Sequence, residues 1–203
     1  MAGAMPLPML VPRTAGLVVA GDAGRDADDL LMSQVRAGQV EALTPLFDRH
    51  HGPLLNYFVR LGTPRGLAED LVQDTFVRIL KYRATYRPGG RFATWMYFIA
   101  RNVRLDQLHK RRGEVEWDDA YSPQVMPSDR AQAAQEQALL EQAMARLPED
   151  KREILVLSRF HELKHEEIGA ILGCETGTVK VRVHRAMKEL KAQFEFLSAR
   201  GVQ

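Results

Sequence analysis

A single cysteine, Cys174, stands in a chain of 203 residues. One thiol excludes an internal disulfide and any zinc cage built from several cysteines, which fits a reducing cytoplasm. Its expected place is that of a small buried residue in a turn. Long apolar runs are missing too, so no direct membrane insertion is expected. Residues 1–27 lack the basic start and unbroken apolar stretch of a secretory signal, and Pro6, Pro8 and Pro12 interrupt them. This segment reads as a disordered tail. Neither a Gly-rich phosphate loop of the Walker kind nor a G-x-S-x-G elbow occurs, so the sequence offers no catalytic constellation and calls for no cofactor. It also lacks an excess of one charge. Its 28 basic and 26 acidic residues leave a net charge of +2, so nucleic-acid binding has to be argued from where the charge sits.

The composition, 45% hydrophobic and 27% charged, is that of a globular soluble protein with enough chain for two modest cores. The charge is unevenly placed. Arg101, Arg104, Lys110, Arg111 and Arg112 face one acid, Asp106; Glu114, Glu116, Asp118 and Asp119 follow at once. Basic residues gather again as Lys180, Arg182, Arg185, Lys188 and Lys191, with Glu189 the one acid among them. Two basic stretches around an acidic linker suggest two contact points on one polyanion. Charge alone would equally describe two solvated helix faces.

No strand alternation appears. Asp28 and Asp29 can cap a helix carrying Leu30, Leu31 and Val35, with Gly38 as its stop before a run through Leu43, Leu46 and Phe47. From Leu67 to Arg83, Val72, Phe76, Ile79 and Leu80 recur at helical spacing. Pro88, Gly89 and Gly90 force a loop, and Phe92 to Arg112 reads as one long helix ended by Gly113. The stretch from Gly113 to Pro127 holds two prolines and the acid run. It is assigned as an interdomain linker, residues 113–127, joining domains that should move independently. Beyond it, Ser128 can cap a helix with Leu140, Ala143, Met144 and Leu147 on one stripe. Pro148 can sit first in the next, where Glu149 and Asp150 suit the positive end and Ile154, Leu157 and Phe160 are apolar. The expected fold is all-α: two small helical domains, 28–112 and 128–203, joined by a flexible acidic linker.

Lys164 to Leu172 makes a short helix, Gly173 to Glu175 a tight turn, and Thr176 opens a second helix, which is helix-turn-helix spacing. In the second helix Val179, Val183, Ala186, Met187, Leu190 and Phe194 form a buried stripe, leaving Lys180, Val181, His184, Arg185 and Lys188 outside. A helix in a major groove needs such a face, because long cationic side chains reach phosphates or guanine edges. An ordinary hairpin with a solvated basic face would show the same pattern. A competing motif lies nearby: His161, Glu162, Leu163, Lys164 and His165 spell H-E-x-x-H, which on one continuous helix would offer two imidazoles to zinc. Here it straddles an expected helix boundary, and Ile168 and Ile171 stand where the extended motif needs Gly and His. No metal site is expected.

In the first domain Asp70, Gln73 and Asp74 share a polar face opposite the apolar stripe, and acids there suit a basic protein surface. The next helix interleaves Phe92, Trp95, Tyr97 and Phe98 with Arg101, Asn102 and Arg104. Rings with cations can stack unpaired bases and hold their backbone, although Trp95 reads mainly as packing.

These runs, Ala68-Glu69-Asp70-Leu71-Val72-Gln73-Asp74-Thr75-Phe76, then Phe92-Ala93-Thr94-Trp95-Met96 and Ile99-Ala100-Arg101-Asn102, and later Gly177 to Ala186, resemble the extracytoplasmic-function group of sigma factors. The resemblance spans about Asp28 to Leu197. It implies a non-enzymatic alternative sigma factor with a sigma-two domain before the linker and a sigma-four domain after it. Such a protein binds core RNA polymerase, recognises minus-ten and minus-thirty-five promoter DNA, helps open the duplex, and is restrained by an anti-sigma factor. By similarity, Asp70, Gln73, Asp74 and Phe76 would meet the polymerase. Arg91, Tyr97, Arg101, Asn102, Arg104, Lys110 and Arg111 would take the minus-ten strand, and Thr176, Thr178, Lys180, Val181, Arg182, His184, Arg185 and Lys188 the minus-thirty-five element. Family members often carry a polar residue where Val181 stands, so contact with a thymine methyl is expected there. The competing function from the residues alone is a free-standing helix-turn-helix regulator, which would bind DNA without polymerase, usually as a dimer.

Overall fold

In a computed structural model the described residues, 23–112 and 131–200, form helices α1 to α8 with no strand among them. The expected linker, the cap at Ser128 and the segment before Ala23 lie outside the described residues.

The first helix, α1 (Ala23–Arg36), starts before Asp28 and Asp29, which therefore are not its caps. Both acids instead point back into the fold. Asp28 is buried and pairs with Arg49 and with His50 Nε2, at 2.7 Å for the latter. Asp29 accepts from the Tyr86 hydroxyl and, at 2.9 Å, from the Gly89 amide, tying the 86–90 loop to the bundle. Gly38 follows as expected, with φ +103°. The chain then enters α2 (Leu43–Arg60), which runs through Pro53. Pro53 removes one backbone donor, yet burying Leu54, Tyr57 and Phe58 beyond it keeps the helix intact, since each such side chain contributes about 1.5–3 kcal/mol.

The helix expected over 67–83 is α3 (Arg65–Lys81), with Leu71, Val72, Phe76 and Ile79 inside. The next is α4 (Phe92–Arg112), matching its expected bounds. Phe92, Met96, Ile99 and Val103 face α2 and α3 and close the first core.

In the second half, α5 (Ala131–Ala145) precedes α6 (Glu149–Leu155), with Pro148 at the N-cap rather than the first helical position. The helix continues into one widened turn over 156–160 and stops where Glu162 takes φ +50°. Two further helices follow: α7 (His165–Leu172), with Glu167 accepting from the Lys164 amide at 2.7 Å, and α8 (Thr176–Arg200). Gly173, φ +69°, ends α7 in the left-handed conformation that glycine adopts most freely. This is the helix-turn-helix read from the sequence, with Cys174 half-buried in its turn.

The two halves do not stand apart. α4 packs directly on α7, α2 meets the 156–160 turn, and one continuous apolar cluster runs through both halves. In this structure the halves are thus in contact, where the sequence suggested domains joined by their linker.

Close approach within the helix-turn-helix sets a sharp requirement at Gly169, where an added Cβ would lie 2.6 Å from the Cys174 carbonyl oxygen. Gly169→Ala should destabilise the C-terminal half by about 1–3 kcal/mol, read as a lower urea midpoint with an unchanged slope.

Candidate nucleic-acid and polymerase interfaces

Three surfaces carry the expected site residues. The first is the outer face of α3. Asp70 and Gln73 are exposed, Asp74 is half-buried, and Val77, 63% exposed, extends the same face one turn further. Asp74 is engaged by Arg78, whose guanidinium also reaches Asp106 of α4 at 2.6 Å. Burial would lower the Arg78 pKa, but bonds to Asp106 and Asp74 hold it above the ordinary value. Phe76 lies beneath this face, 5% exposed and edge-on to Phe47, so it supports the surface rather than forming it. Sequence reasoning missed Val77 because a lone apolar residue off the main stripe carries no periodic signal.

The second surface is α8. Thr178, Lys180, Val181, Arg182, His184, Arg185 and Lys188 are all exposed, Val181 by 48%, while Val179, Val183 and Ala186 are buried against α6 and α7. Thr176 is half-buried at the helix start. Beside it Arg159, Lys164, His165 and Lys180 line a shallow cavity. The basic face is presented outward as the spacing required.

The third surface, along α4 and the loop before it, is different. Asn102 spends its amide on the Phe98 carbonyl at 2.9 Å. Lys110 is exposed, and the side chain of Arg111 lies outside those described. The others are met by the C-terminal half. Arg91 pairs with Glu167, and Arg101 lies 3.2 Å from Glu153. Arg104 pairs with Glu149 and donates to the Leu61 carbonyl at 3.0 Å. Tyr57 donates to Glu153 at 2.9 Å, so that carboxylate is held from both sides. The Tyr97 ring, 3% exposed, lies 4.8 Å from the His161 ring, with its hydroxyl 2.7 Å from His161 Nδ1. Burial pushes the pKa of Tyr97 up, and burial with the neighbouring Glu153 does the same for Tyr57.

Glu153 and Glu167 went unassigned in the sequence, and Glu149 was read only as an acid suiting the positive end of its helix. One signal was available: Glu153 sits four residues before Leu157, which puts a carboxylate on an apolar stripe. His161 was read only through the H-E-x-x-H spacing. The break at Glu162 takes it off the helix that carries His165, and among the described residues no group of three His, Cys, Asp or Glu side chains could hold a metal.

No described helix is long and apolar enough to cross a membrane. Comparison with known families matches residues 46–114 to Sigma-70 region 2 and residues 137–190 to Sigma-70 region 4. The chain is 33% identical over 163 residues to the RNA polymerase sigma factor CarQ of Myxococcus xanthus, covering 79% of this chain and 93% of that protein. It is 37% identical over 126 residues to the ECF RNA polymerase sigma factor EcfG of Rhodopseudomonas palustris, covering 62% and 70%. Among solved structures, CnrH in complex with the cytosolic domain of CnrY is similar at a TM-score of 0.65 and 26% identity, over 83% of this chain and 97% of that one. The sigma factor RpoE in complex with the anti-sigma factor NepR from Bartonella quintana gives 0.61 and 26%, over 75% and 96%.

His161 supplies a pH signature. Burial, with Arg60 nearby, lowers its pKa to about 4 from an ordinary 6.5, so the folded protein holds it neutral beside Tyr97, Tyr57 and Arg60. Its contribution is complete above the unfolded value near 6.5 and is lost as pH falls through about 4. The stability of the native chain should therefore fall more steeply across that window than that of His161→Gln, compared by urea unfolding at each pH.

Proposed function

Because the chain belongs to the extracytoplasmic-function group of the sigma-70 family, we propose that its surfaces divide the work of promoter recognition as the family resemblance implies. The protein is an alternative sigma factor, which binds core RNA polymerase, recognises the minus-ten and minus-thirty-five elements and promotes DNA opening. It acts as a non-enzymatic initiation factor in the cytoplasm, the polymerase carrying out the chemistry. The first domain, 28–112, docks on the polymerase through Asp70, Gln73 and Asp74, with Val77 as an apolar centre among them. Acids around an exposed valine suit a basic partner with a small apolar contact.

The same domain captures the unpaired minus-ten strand through Arg91, Tyr97, Arg101, Asn102, Arg104, Lys110 and Arg111. Stacking on Tyr97 and charge-assisted bonds from the arginines would offset the unstacking of flipped bases, where each stacked base is worth about 1–3 kcal/mol. The second domain, 128–203, sets α8 over the minus-thirty-five element. There Lys180, Arg182, His184, Arg185 and Lys188, with Thr176 and Thr178 at the helix start, reach phosphates and base edges, and Val181 meets a thymine methyl. An anti-sigma factor is the expected restraint, as for the Bartonella quintana RpoE solved with NepR.

The observation that carries this division is the presence, on one chain, of an exposed acidic face on α3 and an exposed basic recognition face on α8. Its first test is co-elution with core RNA polymerase on a sizing column. The native protein is expected to co-elute and an Asp70→Ala, Asp74→Ala double variant to lose at least about tenfold in affinity, each tenfold being about 1.4 kcal/mol. Failure of the native protein to co-elute would leave the free-standing regulator as the better account. Within the holoenzyme, Arg185→Ala should weaken upstream-element binding by about 1–3 kcal/mol in a mobility-shift titration. Asn102→Ala should alter minus-ten choice with polymerase binding intact; loss of polymerase association would reject that assignment.

A further inference from the structure

Three of the cations assigned to the minus-ten strand are already paired within the chain. Arg91, Arg101 and Arg104 are each paired with a carboxylate of the C-terminal half, Glu167, Glu153 and Glu149 respectively. Glu149 and Glu153 lie one turn apart on α6, and Glu167 opens onto the same side from α7, so the three form a row of acceptors along α4. Between them His161 covers the Tyr97 ring, the surface a flipped base would need. Oxygen anions spaced along a basic groove with a ring in the stacking position are what a single strand would supply there.

We propose that this acidic row is a built-in mimic of the DNA backbone, which closes the protein on itself and competes with the minus-ten strand for the same guanidinium groups. The proposal rests on the assignment of Arg91, Tyr97, Arg101 and Arg104 to that strand. Two observations mark the closed contact as separable. Arg91 Nε, Arg104 Nε and His161 Nε2 are buried there without a hydrogen-bond partner in the protein, and each unmade bond lowers the net gain of the interface. Partly buried ion pairs also return little net energy after desolvation. The basic face of α8 and the acidic face of α3 lie outside the contact and stay exposed. Closure thus blocks strand capture while leaving upstream recognition and polymerase docking available.

The test uses the full chain and a fluorescein-labelled random 12-nucleotide single-stranded DNA, read by anisotropy. A Glu149→Gln, Glu153→Gln, Glu167→Gln variant keeps side-chain acceptors, including the cap at Lys164, but removes the charges that hold the arginines. Its control is Glu41→Gln, Glu136→Gln, Glu195→Gln, with the same change in net charge at exposed positions away from the contact. The interface variant should bind about tenfold more tightly than the control, within the usual range of coupling between two sites. It should also show a larger radius in small-angle scattering, and adding Arg101→Ala should remove most of the gain. Equal affinities of the two variants would overturn the mimic. If Arg101→Ala then still impaired promoter opening by the holoenzyme, only the mimic would have failed. If it did not, the minus-ten assignment beneath it would fail as well.

Discussion

The contact between the two halves depends on α4, which buries one face while holding several guanidinium groups beside it. Phe92, Met96, Ile99 and Val103 pack the first core, so the helix cannot rotate to turn Arg91, Arg101 and Arg104 toward open water without unpacking it. Where water is displaced from the neighbouring space, those cations have to be paired by what takes its place. DNA would do so; Glu149, Glu153 and Glu167 do so here. The supporting elements follow from that demand. Tyr57 of α2 fixes Glu153 from beneath, and the Leu61 carbonyl, freed at the end of the same helix, takes a second bond from Arg104.

The energetic character of this contact differs from that of the two helical cores. Inside each core, aliphatic and aromatic groups are removed from water at about 25 cal/mol per Å², a gain with no polar penalty. Between the halves the apolar cluster continues, and beside it lie charged pairs whose members surrender hydration, so their share of the balance is small and sensitive to each partner. The Arg60 guanidinium over the Phe160 ring, at 3.8 Å, adds a cation to ring contact at the same seam. The charged part of this seam can be specific in geometry and still yield to a competing polyanion, which its apolar part would not.

Much of this was legible in the chain. The stripes on α3 and α8 and the extent of α4 follow from the sequence, and the helix-turn-helix follows from Gly173 and the polar turn after it. The outward faces of α3 and α8 were legible for the same reason, since what is left over from a buried stripe must face away from it. Elements joined by tertiary pairing were not. Asp28 and Asp29 look like caps, yet they sit inside α1 because Arg49, His50, Tyr86 and Gly89 supply better partners than an open helix end. The continuation of α2 through Pro53 was hidden because propensity favours a break there, and burial on the far side outweighs it. The seam between the halves was least legible, since it is made of single acids whose partners lie 45 to 76 positions away in the chain.

Position within the seam also determines what each ligand can accomplish. A ligand shifts a conformational equilibrium only by its difference in affinity for the two states. Groups that bind α8 or the outer face of α3 meet the same exposed side chains whether the halves are together or apart, so contact with either face alone gives no bias toward opening. On the proposed assignment, a strand that takes Arg91, Arg101 and Tyr97 would bind only the open form, with an apparent affinity reduced to the fraction of molecules that are open. By reciprocity, any partner that spans both halves and holds them apart tightens strand capture by the same factor, without touching a single base. In the proposed closed form the bias against strand capture therefore rests on Glu149, Glu153 and Glu167, the three carboxylates paired with Arg104, Arg101 and Arg91.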